Sequence, residues 1–242
     1  MENKRFLRTQ ALLGEEAMRK IQNSTIMIIG LGAVGGYALE AMARIGVGHL
    51  ILVDFDTFDE TNINRQILAL TSTIGKKKIQ VAYDRVKQIN PDCEIITLDM
   101  FVNQENIDEL IKLKPDFVID AIDSLNEKCE LIKALIDNNI EFISSMGAAL
   151  KTDASTIKIT RLNQTQNCAM ARCMRQKLKK MQVDIQKINC VFSSEQSNLP
   201  KSAIVQTCAG EKQILGSIST ITAIFGLMMA NYVINNIIKN DK

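Results

Sequence analysis

The sequence TIMIIGLGAVGG, residues 25–36, decides the fold class of this 242-residue chain. Residues 25–29 form an unbroken apolar run, which is typical of a parallel strand covered on both faces. Gly30, Gly32 and Gly35 follow as GxGxxG, and a helical apolar pattern begins there. Such glycines permit a tight turn and let a phosphate approach the N–H groups of the helix N-terminus. The stretch predicts a nucleotide-binding unit, but the motif alone does not distinguish NAD, FAD and ATP.

Strands and helices alternate through the first 150 residues. Apolar runs predict strands at residues 25–29, 49–53, 94–98, 117–121 and 140–144. Apolar residues at three-and-four spacing predict helices at residues 14–21, 34–45, 79–89, 103–111 and 127–138. This alternation indicates right-handed βαβ crossovers. We therefore predict an α/β fold: a Rossmann-like, mainly parallel sheet with helices on both faces.

The pattern changes after Gly147. Residues 155–162 alternate like a strand with one exposed face, whereas residues 163–213 are polar, irregular and rich in cysteine and lysine. We expect a single domain in two parts. Residues 1–150 form the nucleotide-binding core, and residues 151–242 form a smaller, irregular region that faces the substrate, contributes to a dimer and ends in a helix.

The composition indicates the cellular environment of the protein more clearly than its function. The formal net charge is +2, so the overall charge neither requires nor excludes a nucleic-acid partner. None of the six cysteines forms a Cys-x-x-Cys pair, so we expect no structural zinc. The polar start MENKRFLRTQ does not resemble a secretory signal. Free thiols in a reducing cytoplasm are the simplest interpretation.

The apolar region near the C-terminus has two interpretations, a packed helix and a helix that contacts a membrane. Residues 214–238 contain no charged side chain and are long enough to cross a bilayer. Serine, threonine and asparagine side chains interrupt the apolar character, however. We favour a buried or dimer-facing helix over contact with a membrane.

Charged residues after the next strands favour ATP over NAD. Asp54 ends the second strand, where an acid can bind ribose hydroxyls, and Asp56 follows it. Arg65 and Lys78 then supply cations that a hydride-transfer enzyme does not need. Attack of a carboxylate on the α-phosphate builds negative charge that such cations stabilise. Asp123 lies just beyond the fourth strand, where a carboxylate can hold Mg²⁺ beside phosphate oxygens.

The motifs GLGAVGG, VDFDTFDETNINRQ, Lys78 and AIDS resemble those of the ubiquitin-activating-like adenylyltransferases of the ThiF/MoeB type. The resemblance covers nearly the whole chain. It implies that residues 1–150 are an ATP-binding adenylation core. Asn62 and Arg65 then correspond to phosphate-side groups, Lys78 to the α/β-phosphate lysine, and Asp123 to the magnesium ligand. Arg8 corresponds to an arginine that reaches into the partner's site in a homodimer.

Further segments indicate a branch of that family. Residues 189–195, NCVFSSE, and the basic segment at residues 172–179 are similar to those of the tRNA threonylcarbamoyladenosine dehydratases. The resemblance implies ATP-dependent cyclisation, with net loss of water, of threonylcarbamoyladenosine beside the tRNA anticodon. A sulfur-relay protein is a possible further partner, and Cys190 is more simply a buried small side chain than a catalytic thiol. Contacts to tRNA phosphates are assigned to five basic residues, Arg172, Arg175, Lys177, Lys179 and Lys180.

Two other functions stay open at this point. One is an adenylating activator of a ubiquitin-like sulfur-carrier C-terminus, whose known members usually bear the zinc-binding cysteine pairs that this sequence lacks. The other, of a different class, is a non-catalytic NAD-binding module. Neither requires chemistry from His49, the only histidine.

Overall fold

The structure, a computed structural model, describes residues 4–196, 203–207 and 210–239. Its main sheet has seven strands in the order β3-β2-β1-β4-β5-β7-β6. All neighbouring pairs are parallel except β6 with β7. The strands are β1 (Thr25–Ile29), β2 (His49–Val53), β3 (Glu94–Leu98), β4 (Phe117–Asp120), β5 (Glu141–Ser145), β6 (Ile157–Arg161) and β7 (Asn189–Ser193). The predicted Rossmann-like sheet is confirmed.

Helices cover both faces of this sheet, as predicted. They are α1 (Leu7–Leu13), α2 (Glu15–Asn23), α3 (Gly35–Ile45), α4 (Lys78–Ile89), α5 (Ile107–Lys112), α6 (Leu125–Asp137), α7 (Ala169–Lys180) and α8 (Ser219–Lys239). A separate antiparallel hairpin joins β8 (Ala203–Thr207) to β9 (Gly210–Ile214). Helix α1 was not predicted from the polar start of the chain, and α5 is shorter than expected.

Alternate side chains of β1 divide the core into two layers. Ile26 and Ile28 pack with apolar residues of α2, α3, α4 and α8. Met27 and Ile29 pack with those of α5, α6 and α7 on the other face. All four side chains are at most 1% exposed, which explains why β1 is an unbroken apolar run.

The described residues between 163 and 196 contain more regular structure than predicted. Helix α7 buries Ala171, Met174 and Leu178 in the core layer that also contains α5 and α6, and β7 lies between β5 and the edge strand β6. The sequence analysis thus missed α7 and β7 within the segment predicted to be irregular. The apolar stripe of α7 is sparse and the β7 run is five residues long, so neither stands out in a polar segment.

Helix α8 lies along α3. It is long and apolar enough to cross a membrane by length and composition, and 39% of its most apolar window is buried in the fold. A Cβ on Gly226 would come within 2.3 Å of the Val34 carbonyl oxygen, so this glycine permits close packing on α3. Lys20 Nζ donates to the Ile238 carbonyl at 3.2 Å, near the end of α8. These contacts favour the interpretation as a packed helix.

Candidate nucleotide-binding active site

One large cavity lies at the carboxyl ends of the central strands. Its volume is about 920 Å³. Strands β1 and β4 are adjacent although β2 and β3 separate them in sequence, and ligands of open α/β sheets bind at such a reversal of strand order. The predicted site residues that line the cavity are Gly30, Gly32, Asp54, Asp56, Arg65, Lys78 and Asp123.

The glycine turn after β1 leaves no space for a side chain at Gly30 or Gly35. Gly30 has φ +87°, and a Cβ there would meet the Ala121 carbonyl oxygen at 2.8 Å. A Cβ on Gly35 would lie 1.7 Å from the Gly30 carbonyl oxygen. Gly35 therefore closes the turn against the start of α3 and does not itself line the cavity. Gly32 lies in the cavity wall, close to the Gln66 side chain.

Asp54 ties this turn to the end of β2. Its carboxylate accepts a hydrogen bond from the Leu31 N–H at 2.6 Å and another from the Asp56 N–H at 2.8 Å. The side chain is 8% exposed and lines the cavity. A carboxylate can accept about four hydrogen bonds, so capacity remains for the ribose hydroxyls that the sequence predicted as its ligands.

The two predicted cations both lie in the cavity wall. Lys78 opens α4, is 6% exposed, and its Nζ is 2.8 Å from Asp56 Oδ2. Asp56 is thus the counter-ion of Lys78 in this structure. Arg65 Nη1 donates to the Thr61 carbonyl at 2.7 Å and to Asn64 Oδ1 at 2.8 Å. Neither contact of Arg65 is to a carboxylate, so its charge is available to an anion.

Gln66 indicates that this wall is built for a polar ligand. Its side chain is 7% exposed and lines the cavity, and its Oε1 is a buried side-chain oxygen without a hydrogen-bond partner among the described residues. A buried unsatisfied polar atom costs about 1–3 kcal/mol. The amide offers an acceptor oxygen and two N–H donors to a polyphosphate nucleotide and its water. Gln66 was not among the residues predicted from the sequence.

Asp123 and Asp120 play different parts. Asp123 is exposed and lines the cavity, where one carboxylate with phosphate oxygens and water suits Mg²⁺. Within the described ranges no group of three or more metal-binding side chains occurs. Asp120 is fully buried and bonds to Lys128 Nζ at 2.9 Å and to Ser144 Oγ at 2.7 Å.

Lys128, which sequence analysis missed, holds the loop that carries Asp123. Its Nζ also donates to the Ile122 carbonyl at 2.9 Å, and Ile122 N–H donates to Asp120 Oδ1 at 3.2 Å. Lys128 is 0% exposed. A lysine within the helical sequence LNEKCELIKALID looks like a surface residue until the fold buries it.

Besides Gly35, two further predicted residues lie outside the cavity wall. The Asn62 Oδ1 accepts from the Asp59 N–H at 3.3 Å and caps a short helical turn. This structure therefore gives Asn62 a capping contact and no place in the cavity wall. Arg8 is exposed on α1 and does not line the cavity of its own chain.

The predicted basic residues of α7 fall into two groups, those bonded within the fold and those exposed on its surface. Arg175 donates to the Thr165 carbonyl at 3.1 Å and to the Thr165 hydroxyl. Lys177 donates to Asn126 Oδ1 at 2.8 Å. Arg172, Lys179 and Lys180 are exposed. The structure thus uses Arg175 and Lys177 within the fold and leaves three cations on the surface of this helix.

Cys190 has the features of a structural thiol. It is 0% exposed on β7, and burial raises the pKa of the thiol to about 12, with the neighbouring Cys168 adding to the rise. A raised pKa removes the thiolate that nucleophilic chemistry needs. The geometry therefore favours the non-catalytic interpretation of Cys190.

Comparison with known proteins agrees with this geometry. The model of the ThiF family matches residues 5–242. The chain is 34% identical over 242 residues to tRNA threonylcarbamoyladenosine dehydratase of Bacillus subtilis, covering 97% of this chain and 95% of that protein. It is 34% identical to the Escherichia coli protein of the same name, covering 95% and 92%.

A solved structure extends the comparison to three dimensions. The crystal structure of Escherichia coli tRNA N6-threonylcarbamoyladenosine dehydratase in complex with ATP superposes with a TM-score of 0.87 at 32% identity, covering 96% of this chain and 93% of that one. The predicted family is confirmed: this chain belongs to the ThiF family.

Proposed function

We propose that this chain is an ATP-dependent tRNA threonylcarbamoyladenosine dehydratase. The observation that carries the proposal is the convergence of Arg65, Lys78 and Asp123 on the cavity formed by the glycine turn. Relatives with that name match almost the whole length of the chain, and one such enzyme was crystallised with ATP. ATP is thus the nucleotide that the cavity takes.

In the proposed reaction the carboxylate of the threonylcarbamoyl group attacks the α-phosphorus of ATP. The new bond is an acyl–oxygen–phosphorus bond, and the bond to pyrophosphate breaks. An internal nitrogen or oxygen of the same group then attacks the acyl carbon and displaces AMP, which closes a ring with net loss of one water. Because ring closure is intramolecular, orientation supplies much of the rate.

The roles of the residues follow from their positions. Lys78 and Arg65 stabilise the negative charge that develops on the phosphates during attack. Asp54 binds the ribose, and Asp123 holds Mg²⁺. The metal, when bound, neutralises phosphate charge and orients the oxygens. Among the described carboxylates only Asp56 pairs with Lys78, and we infer that the ammonium turns from Asp56 to the phosphates when the nucleotide binds.

We also propose an oligomeric state, a tRNA-binding surface and a cellular location for the enzyme. Arg8 serves the site of the second subunit in a homodimer, since in its own chain it lies away from the cavity. The exposed residues Arg172, Lys179 and Lys180 bind tRNA phosphates without reading sequence. We place the enzyme in the cytoplasm, where its tRNA substrate occurs.

The deciding experiment is incubation of the purified protein with ATP, Mg²⁺ and tRNA that carries threonylcarbamoyladenosine. Nucleoside mass spectrometry should show the loss of one water, and AMP should form in equal amount. Unmodified tRNA and the variant Asp123→Asn are the controls, and both should give no product. AMP formation that depends on a Gly-Gly-tailed protein and not on modified tRNA would establish the sulfur-carrier activator in its place.

The NAD-binding module is tested by the same samples. It requires that NAD, and not ATP, bind in the cavity. The presence of Arg65 and Lys78 in the cavity wall favours ATP, because neither cation has a role in hydride transfer. Binding of NAD with no ATP turnover would overturn the proposed function.

A further inference from the structure

A second lysine, and third cation, lines the cavity at the end away from the glycine turn. Lys151 follows β5, is 6% exposed, and its Nζ donates to the backbone carbonyls of Asn167, at 3.2 Å, and Glu195. An ammonium has three N–H donors. In the part of the chain that the structure describes, no carboxylate pairs with Lys151, whereas Lys78 pairs with Asp56 and Lys128 with Asp120. Its charge is therefore uncompensated by an ion pair.

The backbone around this ammonium is held in unusual conformations. Leu150 has φ +59°, in the left-handed region that disfavours most residues other than glycine, and Asn167 has φ +55°, which asparagine adopts more readily. Leu150 N–H donates to the Gly216 carbonyl at 2.8 Å, and Asn167 Nδ2 donates to the Ser194 carbonyl at 2.9 Å. Strained residues persist where surrounding contacts fix them, and they concentrate at ligand sites. Both residues line the cavity.

The nearby carboxylate of Glu195 is already used. It accepts hydrogen bonds from the Thr152 N–H at 2.9 Å and the Asp153 N–H at 3.0 Å, so it fixes the backbone next to Lys151. The loop after β5 is thereby anchored to the end of β7. Hydrogen bonds from the Asp153 backbone, with a smaller contribution from the charge of Lys151, lower the pKa of Glu195. The ammonium is thus held in a fixed position near this carboxylate, without an ion pair between the two side chains in the described structure.

The order of the strands separates the nucleotide end of the cavity from the end that contains Lys151. The glycine turn follows β1 and Asp123 follows β4, while Lys151 follows β5 and Glu195 follows β7. Neighbouring strands lie about 4.8 Å apart, so β5 is about 10 Å from β1. A nucleotide whose phosphates lie over β1 and β4 leaves the β5–β7 end to the group that attacks it.

We propose that Lys151 and the loops that hold it form the subsite for the carboxylate of the acyl substrate. This inference rests on the proposed function and deepens it. One carboxylate oxygen pairs with the Lys151 ammonium, and the other is directed at the α-phosphorus of ATP. Lys151 is thus a substrate-binding residue that sets the orientation of attack.

The test compares an acid with its ester. The free nucleoside N6-threonylcarbamoyladenosine and its methyl ester are titrated calorimetrically into the full-length protein in the presence of AMP. Wild type should bind the acid at least about tenfold more tightly than the ester, as a charge-assisted hydrogen bond provides. Lys151→Met should reduce that ratio to near one, and Lys151→Arg should restore part of it. Lys112→Met, which removes an exposed lysine of α5, should leave it unchanged.

The outcomes separate this subsite from the proposed function. An unchanged acid-to-ester ratio in Lys151→Met overturns the subsite, as does equal binding of acid and ester by wild type. The comparison with the ester also shows whether Lys151 binds the carboxylate or a tRNA phosphate, because methylation blocks only the carboxylate. A tenfold loss of ATP affinity in Lys151→Met would assign the residue to the nucleotide instead. Failure of wild type to convert modified tRNA, with the acid preference intact, would overturn the proposed function alone.

A measurement on the wild-type protein guards against a variant that does not fold. Acetylation of Lys151 by acetic anhydride is followed by peptide mass spectrometry. The acid nucleoside should slow it several-fold and the methyl ester should not. Equal rates with both nucleosides would overturn the proposal without any substitution.

Discussion

Lys128 Nζ lies 2.9 Å from Asp120 Oδ2, and both side chains are 0% exposed. The pair joins the end of β4 to the first turns of α6, directly beneath the loop that presents Asp123 to the cavity. Removal of one partner from a buried ion pair leaves an unpaired charge in a medium that solvates it poorly. The stability of the fold and the geometry of the site are therefore linked at this point.

Lys128→Met should lower the free energy of unfolding by about 3–5 kcal/mol, measured by urea denaturation. The double variant Lys128→Met/Asp120→Asn should be less destabilised than the single one, because no charge is left buried. Lys112→Met is the matched surface control. A loss below about 1 kcal/mol in the single variant would show that the pair contributes little.

Lys78→Met should reduce kcat/KM for ATP by about 10²–10³-fold, because the ammonium stabilises charge that develops in the transition state. Steady-state AMP formation with modified tRNA measures this. Lys76→Met is the matched control, since Lys76 is exposed two residues earlier, and its kcat/KM should stay within about twofold of wild type. Equal losses in the two variants would mean that only the general charge of this segment matters.

Gly35→Ala should abolish ATP binding or folding, because the added Cβ would lie 1.7 Å from the Gly30 carbonyl oxygen. Either the turn opens or α3 is displaced. Gly216→Ala is the control, since a Cβ there meets no atom within 4 Å. Thermal unfolding and ATP titration report on both. Wild-type affinity in Gly35→Ala would contradict the proposed closure of the turn.

Glu40 should make stability depend on pH in the acid range. Burial acts to raise the pKa of Glu40, but hydrogen bonds from Arg85 and Arg44 outweigh it and hold the pKa below the usual 4.5. A lowered folded-state pKa contributes stability above the unfolded value, and that stability is lost as pH falls through the folded value. The stability difference between wild type and Glu40→Gln should thus be constant near neutral pH and shrink below pH 4.5.

Urea midpoints across that range measure the effect of Glu40. The variant Glu105→Gln, at an exposed carboxylate, is the matched control for the loss of a glutamate charge. A Glu40→Gln difference that grows on acidification would reverse the expected sign.

Cys190→Ala should retain near-normal turnover, because burial raises the pKa of this thiol to about 12. Only about one thiol in ten thousand is then ionised at pH 8, so Cys190 should react with iodoacetamide far more slowly than the partly exposed Cys173. Peptide mass spectrometry after timed labelling compares the two. Complete loss of turnover with intact ATP binding would assign Cys190 a chemical role.

The sequence by itself determined the sheet, the turn and the family. An apolar strand, a glycine spacing and acids at strand ends are local patterns, and local patterns follow directly from backbone sterics and burial on both faces of β1. For the same reason Asp54, Arg65, Lys78 and Asp123 could be selected without coordinates. Asp54, Lys78 and Asp123 each lie within a few residues of a strand end or helix start, whereas Arg65 was selected from its charge and from the family motif around it.

Only the tertiary structure decided which polar side chains are buried and what they contact. Lys128 and Lys151 look like ordinary surface lysines in sequence, yet one pairs with Asp120 in the core and the other lines the cavity. Arg175 donates hydrogen bonds to Thr165 within the fold, and Asn62 caps its own helical turn. Such roles depend on residues brought together from distant parts of the chain, and periodicity along the chain carries no record of those contacts.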